Sequence, residues 1–150
     1  MYDVTLFLHN IIRWVALILV IIATVSAIYG IFRKRDWTET NRKLGLYSTI
    51  SLDIQLLLGL LLYVFFSPIT KSAFTDFGAA MGIADLRFYA LEHGFIMLIA
   101  IVFAHLGSAL PKRVDTSDAK FKRAAIFFGL AFIFLLFGMP WDRAFFPGLG

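Results

Sequence analysis

The stretch RFYALEHGFIMLIAIVFAHLGSALP, residues 87–111, decides the fold. It has the apolar length of a membrane-spanning helix, which needs ~20 residues to cross ~30 Å of hydrocarbon. Yet it carries Glu92, His93 and His105. Ionisable side chains at such depth are expensive and face a bundle interior or a water-filled cavity, where a partner or ligand offsets their desolvation. His93 is therefore the first candidate functional residue.

Working outward, three more apolar stretches of similar length accompany it, so that spans are expected at 4–32, 44–66, 88–110 and 124–141. Of the 150 residues, 60% are hydrophobic and 16% charged, with a mean hydropathy of +0.82. Soluble domains do not have this composition. The expected fold class is all-α: one transmembrane four-helix domain over residues 1–150, up-down in connectivity. A short interfacial helix is expected between Ile69 and Asp85, where the chain is only moderately apolar. The first stretch reads as a retained helix rather than a secretory signal, because its basic residues follow the apolar core.

The connector RKRDWTETNRK, residues 33–43, holds five of the fourteen Lys and Arg residues, and residues 111–123 hold five more. In an up-down chain both loops lie on one side, which the positive-inside rule names cytoplasmic. The expected location is a bacterial cytoplasmic membrane with both termini outside. Orientation in a bilayer thus accounts for the net charge of +4, and nucleic acid is not an expected partner. Thr38 or Thr40 is the expected N-cap of the second span, and Asp115 or Ser117 that of the fourth. Ser67-Pro68 ends the second span, since proline cannot continue the hydrogen-bond ladder. Ser48, Ser51, Gln55 and Gly59 form a small, polar stripe along it, suited to close helix contact. The phenylalanine-rich fourth span reads as lipid-facing or partner-facing.

No cysteine is present, which excludes disulfides, thiolate-bound metals, iron–sulfur clusters and covalently attached haem. A redox cofactor would have to be held by histidine or without a covalent ligand. His9 and Arg13, spaced i,i+4, share a face with Ala16, Val20 and Ala23, the natural face for a bundle interior. His9 and His93 lie at nearly equal depth, about five or six residues from the same end of their helices, at ~1.5 Å per residue. On diagonal helices, two inward histidines have the geometry to ligate a haem iron axially. Met97, Ala100 and Ala104 continue the His93 face, and small residues there, with Gly94 beside the ligand, leave room for a flat ring. Arg13 pairs either with a haem propionate or with Glu92, an ion pair being the simpler role for the latter two. An equally weighted reading makes both histidines packing or interfacial residues.

His105 lies twelve residues, roughly 18 Å, from His93 and is rotated by roughly 120°, so the two cannot share an iron. Asp53 sits at a comparable depth, and a buried, hydrogen-bonded Asp53–His105 pair of structural character is expected in preference to a proton relay or quinone site. With one histidine at that level, a second haem is disfavoured.

LHNIIRW from Leu8, LDIQLLLGLLLY from Leu52, RFYALEH from Arg87 and GMPW from Gly138 resemble a family of small bacterial four-helix membrane proteins labelled cytochrome b or cytochrome b-like. The resemblance covers nearly the whole chain. It implies a haem-binding membrane protein, with His9 and His93 at the matching histidine positions.

The expected function is a membrane electron-transfer protein holding one haem b, as a subunit of a larger respiratory or photosynthetic assembly. The alternative is a haem-free accessory subunit of a membrane complex. Expected partners are the bilayer and other subunits, with a quinone as a further candidate ligand. No Ser-His-Asp arrangement, phosphate loop or carboxylate pair marks a free-standing enzyme.

The charge distribution generates a topology prediction. In intact cells, Glu39→Cys and Ser117→Cys should both resist impermeant thiol reagents and react once the cytoplasmic face is opened. Labelling of both from outside reverses the orientation.

Overall fold

Four helices long and apolar enough to cross a membrane make up most of this computed structural model, which describes residues 1–141. All regular structure among the described residues is helical. α1 spans Tyr2–Phe32, and its buried residues Arg13, Ala16, Val20, Ala23, Ala27 and Gly30 recur every three or four positions, as one face of an amphipathic helix requires. It ends in a Schellman-type turn: Lys34 takes a left-handed φ of 49°. The Arg35 N–H then bonds to the Gly30 carbonyl (3.1 Å) and the Lys34 N–H to that of Ile31 (3.3 Å).

α2 runs Glu39–Leu61 and continues through a π-helical turn, Leu62–Phe66. Of the two expected caps, Thr38 takes the position. Its backbone N–H and hydroxyl both donate to Asn41 Oδ1, at 3.1 and 2.8 Å, while Asn41 Nδ2 donates to Ser26 on α1 (3.1 Å). As anticipated, the helix stops at Ser67, where Pro68 opens α3, Pro68–Thr75. The single short helix expected here is three short segments: α3, α4 (Phe77–Ala80) and α5 (Ala84–Arg87). Asp76 divides the first two by capping the Ala79 N–H (3.0 Å).

α5 passes through a second π turn, Phe88–Glu92, into α6, His93–Ala109, which ends in a 3₁₀ turn, Leu110–Arg113. α7 spans Ser117–Gly138. Its cap is neither Asp115 nor Ser117 but Thr116, whose Oγ1 accepts the Ala119 N–H (3.3 Å). Ser117 instead accepts the Trp37 N–H (2.9 Å), and Trp37 meets Phe121 edge-on, so the two basic loops lie together. α7 stops three residues short of the expected 141, because Met139 precedes Pro140 and is held extended, at φ −79° and ψ 130°.

α1 packs on α2 and α7, α7 also packs on α6, and α2 meets α6 less closely. The expectation that the fourth span faces lipid or a partner holds for one face only: Ile126, Ile133 and Phe137 are exposed, whereas Phe121 and Phe128 are the two largest fully buried side chains. Glycines make the room. A Cβ at Gly30 would lie 2.4 Å from the Phe121 ring, and one at Gly107 2.9 Å from that of Phe128. Gly45 borders Phe128 from α2. The α1 and α6 faces expected inside are inside: Ala16, Val20, Ala100 and Ala104 are all buried.

The glycine–phenylalanine contact predicts an asymmetry between two variants. Gly30→Val should destabilise the fold by about 1–3 kcal/mol through overpacking. Adding Phe121→Leu should restore part of the loss. Thermal unfolding in detergent reads both, and equal midpoints for the parent and Gly30→Val would mean that the close approach of Gly30 to Phe121 does not limit packing.

Candidate functional site

The two π turns lie at one end of the fold, beside the N-terminal part of α1 and the C-terminus of α7. A π turn bonds i to i+5, which shifts the side chains after it and is often found at functional sites. At Phe88–Glu92 that spacing brings Arg87 and Glu92 together, with Arg87 Nε donating to Glu92 Oε1 at 2.6 Å. The expected Arg13–Glu92 pair is therefore not formed, since Glu92 is held on its own helix. The turns also support each other across the fold: the Tyr63 hydroxyl, in the first, donates to the carbonyl of Ala90, in the second, at 2.6 Å.

His93 follows directly. Because α7 ends at Gly138, that residue's carbonyl lacks an intrahelical donor, and His93 Nδ1 is bonded to it at 2.7 Å. With Nδ1 donating to a carbonyl, the lone pair of a neutral imidazole lies on Nε2, the arrangement in which metal-binding histidines are commonly oriented. His9 comes from α1, and its ring centre is 6.4 Å from that of His93, with the planes at 69°. Its Cε1 lies 3.3 Å from where a Cβ on Gly59 would be, so Gly59 is what lets His9 sit against α2. Its ring also lies beside the backbone of Gln55, while Nδ1 closes no hydrogen bond.

Both histidines line a cavity of about 420 Å³, within the range of ligand pockets. Arg13, Gly94 and Met97 line it too, so all five residues proposed from sequence for a cofactor border one space. A Cβ on Gly94 would meet nothing within 4 Å. Arg13 is 9% exposed and, among the described residues, forms no ion pair. Its Nε, His9 Nδ1 and Gln55 Oε1 are buried cavity-lining atoms without a hydrogen-bond partner. Buried polar atoms are nearly always paired, and each exception requires a cause.

The sequence did not single out Gly138, Tyr63 or Asn10, which is buried on the cavity wall. The one available signal was GMPW: proline at 140 stops α7 and leaves a free carbonyl three residues after Leu135, itself on the wall. Asp53 and His105 are separate from the cavity. Asp53 Oδ1 and His105 Nε2 are 2.9 Å apart, as the expected hydrogen-bonded pair requires, but the pair is not buried: the side chains are 48% and 51% exposed. They meet on the flank of α2 and α6, where those helices pack less closely, instead of between them.

No group of three or more His, Cys, Asp or Glu residues suited to a metal ion occurs among the described residues. Comparison with protein-family models, curated proteins and solved structures finds no match.

The Tyr63 hydroxyl generates a stability prediction. Tyr63→Phe keeps the ring but strips the Ala90 carbonyl of its donor. The cost should be about 1–3 kcal/mol, read as a lowered thermal midpoint in detergent. An unchanged midpoint would mean that the π turns are held without this bond.

Proposed function

We propose that this protein is an up-down four-helix bundle in a bacterial cytoplasmic membrane, that it holds one b-type haem between His9 and His93, and that it carries electrons within a larger respiratory or photosynthetic assembly. The observation that carries this reading is the pair of imidazoles 6.4 Å apart on the wall of a cavity with orphaned polar atoms. At roughly 2 Å per metal–nitrogen bond plus the half-width of each ring, two imidazoles on one metal have centres roughly 6 Å apart. Two nitrogen ligands without a third suit a metal that brings its own equatorial ligands. A bare structural zinc takes four from the protein.

Haem supplies the one-electron redox centre; the protein sets ligation, burial and charge. His93 is oriented by the Gly138 carbonyl and His9 by its seat against Gly59. Arg13 offers a guanidinium whose Nε has no hydrogen-bond partner to an acidic group such as a propionate, the role that remains once Glu92 is taken by Arg87. Gly94 leaves open space beside His93. The adjacent basic loops support a cytoplasmic end opposite the cavity, and α3–α5, with exposed Phe74, Phe77 and Ile83, suit the outer interface. This reading agrees with the cytochrome b-like resemblance of the motifs around His9 and His93. The haem-free accessory subunit keeps the exposed face of the fourth span, Ile126, Ile133 and Phe137, as support, but leaves the three orphaned atoms without a cause.

His9→Ala or His93→Ala should abolish the low-spin b-type spectrum or leave a weak high-spin haem, while His105→Ala should keep it. Arg13→Leu should lower the midpoint potential, because losing a buried positive charge favours the oxidised iron. Purified parent protein without a Soret band, after expression with ample haem, refutes the proposal.

A further inference from the structure

Asp53 lies near the middle of the continuous helix Glu39–Phe66, 28 residues long, and His105 lies eight residues from the end of the helix Ala84–Arg113. If these helices span a bilayer, as the proposed function holds, the half-exposed pair opens sideways into hydrocarbon. Its internal bond uses one atom of each group. Asp53 Oδ2 and His105 Nδ1 have no partner among the described residues, and hydrocarbon supplies none. Such groups within a membrane mark functional sites by default.

The chemistry of the pair selects its ligand. An ionised carboxylate only accepts, so His105 Nε2 donates to Asp53, and a neutral imidazole keeps a lone pair on Nδ1. The dyad therefore presents acceptors toward the lipid and is complementary to a hydroxyl donor that arrives within the bilayer. Of the exposed residues one turn away, Ile50 and Leu57 on α2 and Val102 on α6 are branched and apolar, with Leu98 a turn further, and only Ala109 is small. Close helix docking in membranes favours small residues at the contact, whereas a branched apolar rim suits a ring with an apolar tail. We infer that the α2/α6 flank binds a lipid-soluble hydroquinone, one ring hydroxyl donating to the Asp53–His105 dyad. The site is separate from the histidine cavity and rests on the membrane reading, but it does not require haem.

The test uses the full chain in lipid nanodiscs, with a decyl benzoquinol kept reduced and its partitioning compared with that into empty discs. The parent should take up the probe saturably. His105→Phe should weaken uptake about tenfold or more, as expected for losing a hydrogen bond to a charged pair. Val102→Trp should do so as well by covering the approach; it leaves both dyad residues in place and so keeps the test valid if His105→Phe fails to fold. The proposal is overturned if the parent takes up no more than empty discs, or if Val102→Trp binds like the parent. It is also overturned if Leu57→Cys cross-links two copies in high yield, which would put a second copy of the chain on this face. Saturable uptake by protein without a Soret band would leave this site standing while refuting the haem. Protein that does not enter nanodiscs would refute both.

Discussion

The bond between His93 Nδ1 and the Gly138 carbonyl is the contact on which the site depends. It solves two problems together. A helix that ends inside an apolar bundle leaves carbonyls that water cannot reach, and a histidine at that depth has a ring nitrogen that needs a partner. Joining them ties the end of α7 to the start of α6 and fixes which nitrogen of His93 remains available. The Tyr63–Ala90 bond does the same between the two π turns. Departures from regular helix at this end are thus paired with specific side chains, which lets the wall of the cavity be irregular without leaving backbone groups unsatisfied.

The opposite end is built by packing. Phe121 and Phe128 fill the space that Gly30, Gly45 and Gly107 leave, and the Trp37–Ser117 bond closes the loops over them. Interiors this dense are stiff, so the helices are fixed relative to one another there and can diverge around the cavity at the other end. That division suits a cofactor site in a small bundle, where one half holds the geometry and the other provides the room.

The helical class and the four spans could be read from apolar length, because hydrocarbon thickness sets that length directly. The cavity residues could be read because two rules acted on the same positions: helical spacing put His9, Arg13 and Ala16 on one face, and equal distance from the helix ends put His9 level with His93. Partners across elements were harder. Arg13 and Glu92 looked like a pair by charge alone, but the π turn, for which residues 88–92 give no propensity signal, turned Glu92 back to Arg87. Phe121 and Phe128 of α7 looked outward-facing like the exposed Phe137, because hydrophobicity along an apolar helix does not separate inside from outside. Only the glycines on three other helices decide it, and no local pattern links them to residues 121 and 128.

The two histidine sites differ in what their surroundings leave undone. At the cavity the unpaired atoms include a cation, Arg13 Nε, together with His9 Nδ1 and an amide oxygen, so an occupant must offer negative charge as well as apolar surface. On the α2/α6 flank the unpaired atoms are acceptors on a hydrogen-bonded carboxylate–imidazole dyad, so an occupant must offer a hydroxyl and need carry no charge. A haem with acidic edges meets the first demand and not the second; a neutral hydroquinone meets the second and leaves Arg13 unmatched in the first. Under the two proposals, the chemistry of the unpaired atoms, more than the size of either space, is what distinguishes the ligands of two sites less than a helix length apart.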